Sequence, residues 1–360
     1  MGCTVMTEKK ALVCLMAYLT AGMIAVGLWV YCIDPFYHYH EAWFELPTIM
    51  DNAVYQTAGA ARNLPYDSVI VGTSMTENFH ASWFNEEMGW NTLKLSYSGA
   101  RTDDLKAILE QIYADGRGPC NVVMDVNEYQ LTVPPDSAYT ERPEYLYDQK
   151  VLTDASYLFN QDVLITSMDR IADKFAGKES NLDTAYTWEE EEYFGASRVL
   201  EIERKTRWET KWQIEVNGEN AQALSLETCE GNINNIIPFI EAHPETTFYI
   251  FYPPYSMLYW ERELMQDSLE EMMQICTYSV ERLLGYGNVK IFYFQNEKEI
   301  IGDLDNYRDA THYKPIFNRY ICECMKTGEN LLTKENYKEE LQDMYEYVLQ
   351  FDYEALWASE

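Results

Sequence analysis

A chain of 360 residues that is 47% hydrophobic and 24% charged has enough apolar side chains to bury a core of its own, which excludes disorder as its default state. Fifty-nine acidic residues against 27 basic ones give a formal charge of −32. Neutralising a phosphate backbone takes clustered Lys and Arg, so no nucleic acid is expected as a partner.

Residues 11–33 read ALVCLMAYLTAGMIAVGLWVYCI, with no charged side chain. As a helix rising about 1.5 Å per residue, the run is long enough to cross a bilayer. Lys9 and Lys10 precede it and Asp34 follows it. The positive-inside tendency then puts 1–10 in the cytoplasm and the main domain outside the cell membrane. A cleaved signal peptide is the competing assignment. The apolar run exceeds the usual core of about 7–15 residues and no A-x-A-like site ends it, so a single-pass signal anchor is preferred. In the juxtamembrane segment 34–66, His38 and His40 could share one face of an extended chain as metal ligands. No further Cys or His lies nearby, so packing at the membrane interface is expected there, with no metal and no cofactor. Of the eight cysteines, Cys120, Cys229, Cys276, Cys322 and Cys324 lie beyond the anchor region. Their number is odd and their spacing matches no zinc pattern.

Short apolar runs at Ser68–Gly72, Thr92–Leu95, Asn121–Val126, Thr247–Tyr252 and Val289–Phe294 read as buried strands. Helical stretches lie between them at Thr102–Tyr113, Asn220–Ala242 and Glu263–Leu284. This alternation predicts an α/β fold, a flavodoxin-like three-layer sandwich with a five-stranded parallel sheet. About 120 residues separate the third strand from the fourth, where a crossover needs about a dozen or more, so an insertion at about 131–218 is expected. The α/β domain then covers 67–325, with a helix at Pro315–Met325. An acidic helical tail follows at 326–360, patterned as helix near Glu335–Gln350. The insertion is rich in aromatics, among them Tyr139, Tyr186, Trp188, Tyr193 and Phe194. These suit either sugar stacking at a cleft or the packing of a small subdomain. The run Glu189–Glu192 reads as a solvated face.

In such a sheet, ligands bind beyond the carboxyl ends of the strands. Ser74 follows the first strand there, in VIVGTSMTENF, at a strand-to-helix junction suited to a nucleophile. Ser74-x-x-Glu77 also has the form of a capping box, in which the hydroxyl only satisfies a helix N–H. Asp309 and His312, in DATHYKP after the fifth strand, are spaced to lie on the same side of one turn. A carboxylate on one imidazole nitrogen leaves the other free to take a proton from a hydroxyl. Each motif alone has an ordinary reading, but both follow strands whose ends meet at one edge. His80 sits on the helix leading away from Ser74, and His243 reads as a helix cap or surface residue.

With these motifs, the stretch from about Asp67 to Tyr320 resembles SGNH/GDSL-type hydrolases of the membrane-anchored bacterial envelope branch. Gly72-Thr73-Ser74-Met75 stands for the Gly-Asp-Ser-Leu block and Ser96-Tyr97-Ser98-Gly99 for the oxyanion-glycine block. Asp125-Val126-Asn127-Glu128 stands where Gly-x-Asn-Asp is usual. The resemblance implies Ser74 as nucleophile, His312 as general base and acid, and Asp309 as its orienting carboxylate. It also implies the Ser74 and Gly99 amides with the Asn127 side chain as oxyanion donors. Asp125 replaces a glycine, and its carboxylate would either oppose the oxyanion or point into the helix layer. The loop Phe251–Ser256 resembles the pocket-wall loop of such proteins, which would make Tyr252, Tyr255 and Ser256 substrate contacts or, equally, ordinary loop packing. The expected activity is that of an esterase or O-acyltransferase on acylated envelope polysaccharide or wall polymer, with membrane acyl-transfer proteins as further partners. The acidic average favours a neutral polysaccharide over an anionic teichoic-type polymer. The alternative is a catalytically silent SGNH-like binding or scaffold subunit.

Overall fold

The apolar run forms the body of one helix, Glu8–Ile33. Among the described residues it is the one helix long and apolar enough to cross a membrane. The computed structural model describes residues 7–116, 118–148, 150, 152–190, 193–217 and 224–358. The chain divides into two units, Met1–Leu64 with Arg142–Asn181 and Pro65–Glu141 with Leu182–Glu360.

In the first unit the long helix ends at Asp34, whose left-handed backbone (φ 42°) turns the chain. The Asp34 carboxylate accepts the amides of His38, Tyr39 and His40 and the Tyr157 hydroxyl at 2.6 Å. Val30, Phe36, Ala58, Leu146, Tyr157 and Val163 form the core beneath this turn. The two histidines find separate partners. His38 meets Asp154 and Arg62, while His40 stacks on Trp43 with ring centroids 3.6 Å apart.

The second unit carries the sheet. Strands β1 (Ser68–Val71), β2 (Thr92–Lys94), β3 (Asn121–Asp125), β4 (Thr247–Tyr252), β5 (Val289–Tyr293) and β6 (Leu331–Leu332) lie in the order β2-β1-β3-β4-β5-β6. The first five are parallel, and β6 joins β5 antiparallel through Ile291↔Leu332 and Phe292↔Leu331. The expected five-stranded, flavodoxin-like sheet is corrected accordingly to a six-stranded, mostly parallel α/β sheet. The sixth strand comes from the tail, whose helix Tyr337–Gln350 buries Leu341, Met344 and Val348.

Helix periodicity explains the elements around the sheet. In Thr102–Ile112, Leu105, Ile108, Leu109 and Ile112 make one apolar stripe, and the Asp104 carboxylate returns to the Arg101 amide at 2.8 Å to cap the start. Pro315 opens Pro315–Thr327 and Gly328, at φ 82°, closes it. The predicted helix Glu263–Leu284 is two helices, Met257–Met265 and Leu269–Leu283, broken at Asp267 with φ 56°. The predicted helix Asn220–Ala242 is Leu226–Asn234 followed by Ile237–Ala242, and residues 218–223 lie outside the described ones. The expected insertion is divided as well. Arg142–Asn181 clusters with the N-terminal residues, whereas the segment from Leu182 belongs with the sheet.

From β1 the chain moves to β2 on one side and then returns to β3 on the other. The order therefore reverses beyond the carboxyl ends of β1 and β3, the position where α/β sheets hold ligands. Ser74 emerges there.

Candidate active site

β1 is buried along its length, and every residue from Val71 to Phe79 is buried except Ser74, which is half-buried. The turn that presents it is tight. A Cβ on Gly72 would fall 2.1 Å from Asp125 Oδ1, so only glycine lets the end of β3 come this close. Thr73, not Ser74, is the N-cap of the short helix Ser74–Glu77, its hydroxyl accepting from the Met75 amide at 3.2 Å. The capping-box reading of Ser74 is thereby corrected. Its hydroxyl instead meets His312 Nε2 at 2.9 Å.

The imidazole is held from its other side. His312 Nδ1 lies 2.9 and 2.8 Å from the two oxygens of Asp309, and Asp309 Oδ1 also accepts the amides of Thr311 and His312. Burial pushes the Asp309 carboxyl up, but the His312 hydrogen bond and charge, with those amides, overcome it and bring the group down to about 2. The turn itself is fixed by a bridge between Tyr307 and Tyr313 and by Ala310. The Ala310 carbonyl accepts the amide and hydroxyl of Ser256, and its amide donates to Glu203.

These contacts reassign the loop after β4. Tyr252, Tyr255 and Ser256 are all buried. The Tyr252 hydroxyl pairs with Ser279, and Ser256 fastens the histidine turn. They are scaffold, and the expected pocket-wall contacts are corrected on that ground.

Asp125, fully buried, points neither outward nor into the helix layer. It accepts the Thr73 amide, the Thr73 hydroxyl and the Asn127 side-chain amide, each at 2.8 Å. Burial raises its carboxyl above the ordinary range, opposed by those three donors. Asn127 also caps the helix Glu128–Thr132 through Oδ1, leaving one N–H of its amide beyond the bond to Asp125. The Ser74 amide opens a helix and has no intrahelical acceptor. Gly99 sits at φ 73° with Tyr139 packed where a side chain would be, and among the described residues its amide has no acceptor.

Sequence reasoning missed what surrounds the imidazole. Trp188 lies edge-on to His312, with ring centroids 5.3 Å apart. Its indole N–H donates to Glu77 Oε2 at 3.0 Å, and Ser98 donates to the same oxygen. Burial raises the Glu77 carboxyl, and these two bonds oppose it. Lys94, buried in β2, donates to the carbonyls of Glu77 and Phe79 and closes the end of the serine helix, while burial lowers its ammonium to about 7. A lysine between the leucines Leu93 and Leu95 was the available signal for it. The remaining histidines stay apart from this array, His80 on Glu189 and Trp83, His243 stacked on Tyr113. Of the acidic run, Glu191 and Glu192 lie outside the described residues.

The arrangement can deprotonate a hydroxyl and return the proton. Compared with known proteins, the chain matches no family model and no curated protein.

Proposed function

We propose that the protein is a membrane-anchored serine esterase or O-acyltransferase of SGNH/GDSL type, facing the outside of the cell and acting on acyl groups of envelope carbohydrate or wall polymer. The observation that carries this is the continuous bond series from Ser74 Oγ through His312 to Asp309. Lys9 and Lys10 before the apolar helix support the outward orientation of the main domain. Exchange also supports the family assignment. The block carrying the serine has Thr73 where the family has an acid, and β3 ends in Asp125 where it has a glycine. One carboxylate is thus supplied to the nucleophile turn from the neighbouring strand.

In the reaction, Ser74 Oγ forms a bond to the ester carbonyl carbon while His312 Nε2 takes its proton. The carbonyl oxygen gains the negative charge, for which the Ser74 and Gly99 amides and the second N–H of the Asn127 side chain are the proposed donors. Removing one such donor costs roughly 2.7–4 kcal/mol of transition-state stabilisation in other enzymes. Collapse breaks the ester C–O bond, and His312 returns the proton to the leaving oxygen. Water or a polymer hydroxyl then repeats the sequence on the acyl-serine, which separates hydrolase from transferase.

A fluorophosphonate probe tests this directly. The full-length chain in detergent is expected to label, with labelling lost in Ser74→Ala. Absence of labelling in the folded chain would favour the silent binding or scaffold module. Mass spectrometry of Ser74 after incubation with acetylated or D-alanylated envelope fractions reads which acyl group is carried.

A further inference from the structure

Arg308 directly precedes the Asp309–His312 turn, and its backbone amide donates to the His312 carbonyl at 2.9 Å. Its guanidinium lies 5.0 Å from the Trp188 ring centroid and 5.3 Å from that of Tyr193. Arg198 approaches the same Tyr193 ring at 5.4 Å. Among the described residues, neither guanidinium has a carboxylate partner. Arg170, Arg207, Arg262 and Arg319 each have at least one.

In a chain with 59 acids to 27 bases, two guanidinium groups resting on one phenol ring with no carboxylate in ion-pair contact among the described residues are left with donors to spare. Aromatic faces orient a guanidinium plane while leaving its forked N–H donors unused. Such a fork matches the two oxygens of a carboxylate or phosphate. Its location says which part of a substrate it would meet. His312 returns the proton to the leaving oxygen, so the alcohol component of the ester lies beside the imidazole. Trp188, which edges that imidazole, is the ring on which Arg308 rests.

Building on the esterase reading, we propose that Arg308, with Arg198 beside it, binds a carboxylate or phosphate on the alcohol component. The substrate class is then an acylated anionic glycan or polyol, in place of the neutral polysaccharide that the average charge favours. The overall charge of −32 repels polyanions at a distance. A guanidinium at contact acts well inside the screening length of about 8–10 Å.

The test uses the full-length chain in detergent and three acetate esters, 4-acetoxybenzoate, 4-acetoxyphenyl phosphate and the neutral methyl 4-acetoxybenzoate. In Arg308→Gln, KM for an anionic ester is expected to rise about tenfold more than KM for the methyl ester, with Arg308→Lys recovering part of the difference. Which anionic ester shows the larger effect distinguishes carboxylate from phosphate. Equal changes on all three esters, or none, overturn the proposal. Failure of the esterase reading has its own signature, methyl-ester hydrolysis identical in wild type and Ser74→Ala. In that event calorimetric binding of 4-hydroxybenzoate to the full chain decides. Binding lost in Arg308→Gln sustains the anion site, and binding that is absent or indifferent to the substitution ends it.

Discussion

The histidine turn and the end of β3 both place a carboxylate in the interior beside the serine, with opposite electrostatic outcomes. Asp309 faces an imidazole and is brought down to about 2, whereas Asp125 faces only neutral donors and is raised. Burial pushes both carboxyls up; at Asp309 the His312 hydrogen bond and charge, with the turn amides, outweigh it, and at Asp125 the hydrogen bonds of Thr73 and Asn127 do not. Three residues beyond Asp125, Glu128 repeats the second case. It is fully buried with Gln295 at 2.5 Å and the Cys276 thiol at 3.6 Å, and burial pushes it up to about 7. One region sets a carboxylate against an imidazole; the other holds a turn in place with hydrogen bonds.

The strongest way to break this contrast is Asp309→Asn. If the carboxylate orients and stabilises the imidazolium, kcat for an ester substrate should fall by about a thousandfold or more while the fold is retained. A small loss would reduce Asp309 to a turn-former.

Stability against pH sharpens the contrast, because the two regions should slope in opposite directions. The folded carboxyl of Asp309 lies below its ordinary 3.8, so its contribution is in place above that pH and fades as pH falls toward about 2. Glu128 lies above its ordinary 4.5, so its contribution is in place below that pH and is lost as pH rises through about 7. Glu128→Gln should therefore gain on the order of 3 kcal/mol relative to wild type between pH 4 and pH 8, read from urea unfolding at each pH. An unchanged pH profile would show that Glu128 titrates normally.

Asp125→Ala strands the Thr73 amide and hydroxyl and the Asn127 amide, and should cost about 1–3 kcal/mol per stranded buried donor in the same unfolding measurement. The smallest effect belongs to Trp188→Phe, which keeps the ring beside His312 but deletes the N–H to Glu77. A loss of about 1 kcal/mol in stability is expected, with a few-fold fall in kcat/KM.

Much of the sheet was legible because buried parallel strands are nearly continuous apolar runs. Thr247–Tyr252 was located to the residue. β6 was not, since two leucines in a polar tail carry no period and are strand only because β5 offers an edge. The helix break at Asp267 was hidden for a related reason, as apolar positions continue at helical spacing across it.

At the site, Ser74 and the Asp309–His312 pair stood out because hydroxyl, imidazole and carboxylate have few reasons to follow strands together. The inward turn of Tyr252, Tyr255 and Ser256 could not be seen, because loop residue types do not say which face is covered. Arg308 was equally silent. Its meaning depends on its guanidinium having no carboxylate in ion-pair contact among the described residues, which is a property of space and not of order along the chain.

The serine and its imidazole are 238 residues apart. During synthesis, the ribosome makes the hydroxyl long before the group that can take its proton, and chains are built from the amino end. A nascent or truncated product ending ahead of Asp309 would carry an inert alcohol. On the proposed esterase reading, Ser74 would become reactive only once the turn at Asp309–His312, near the end of the chain, has docked beside it.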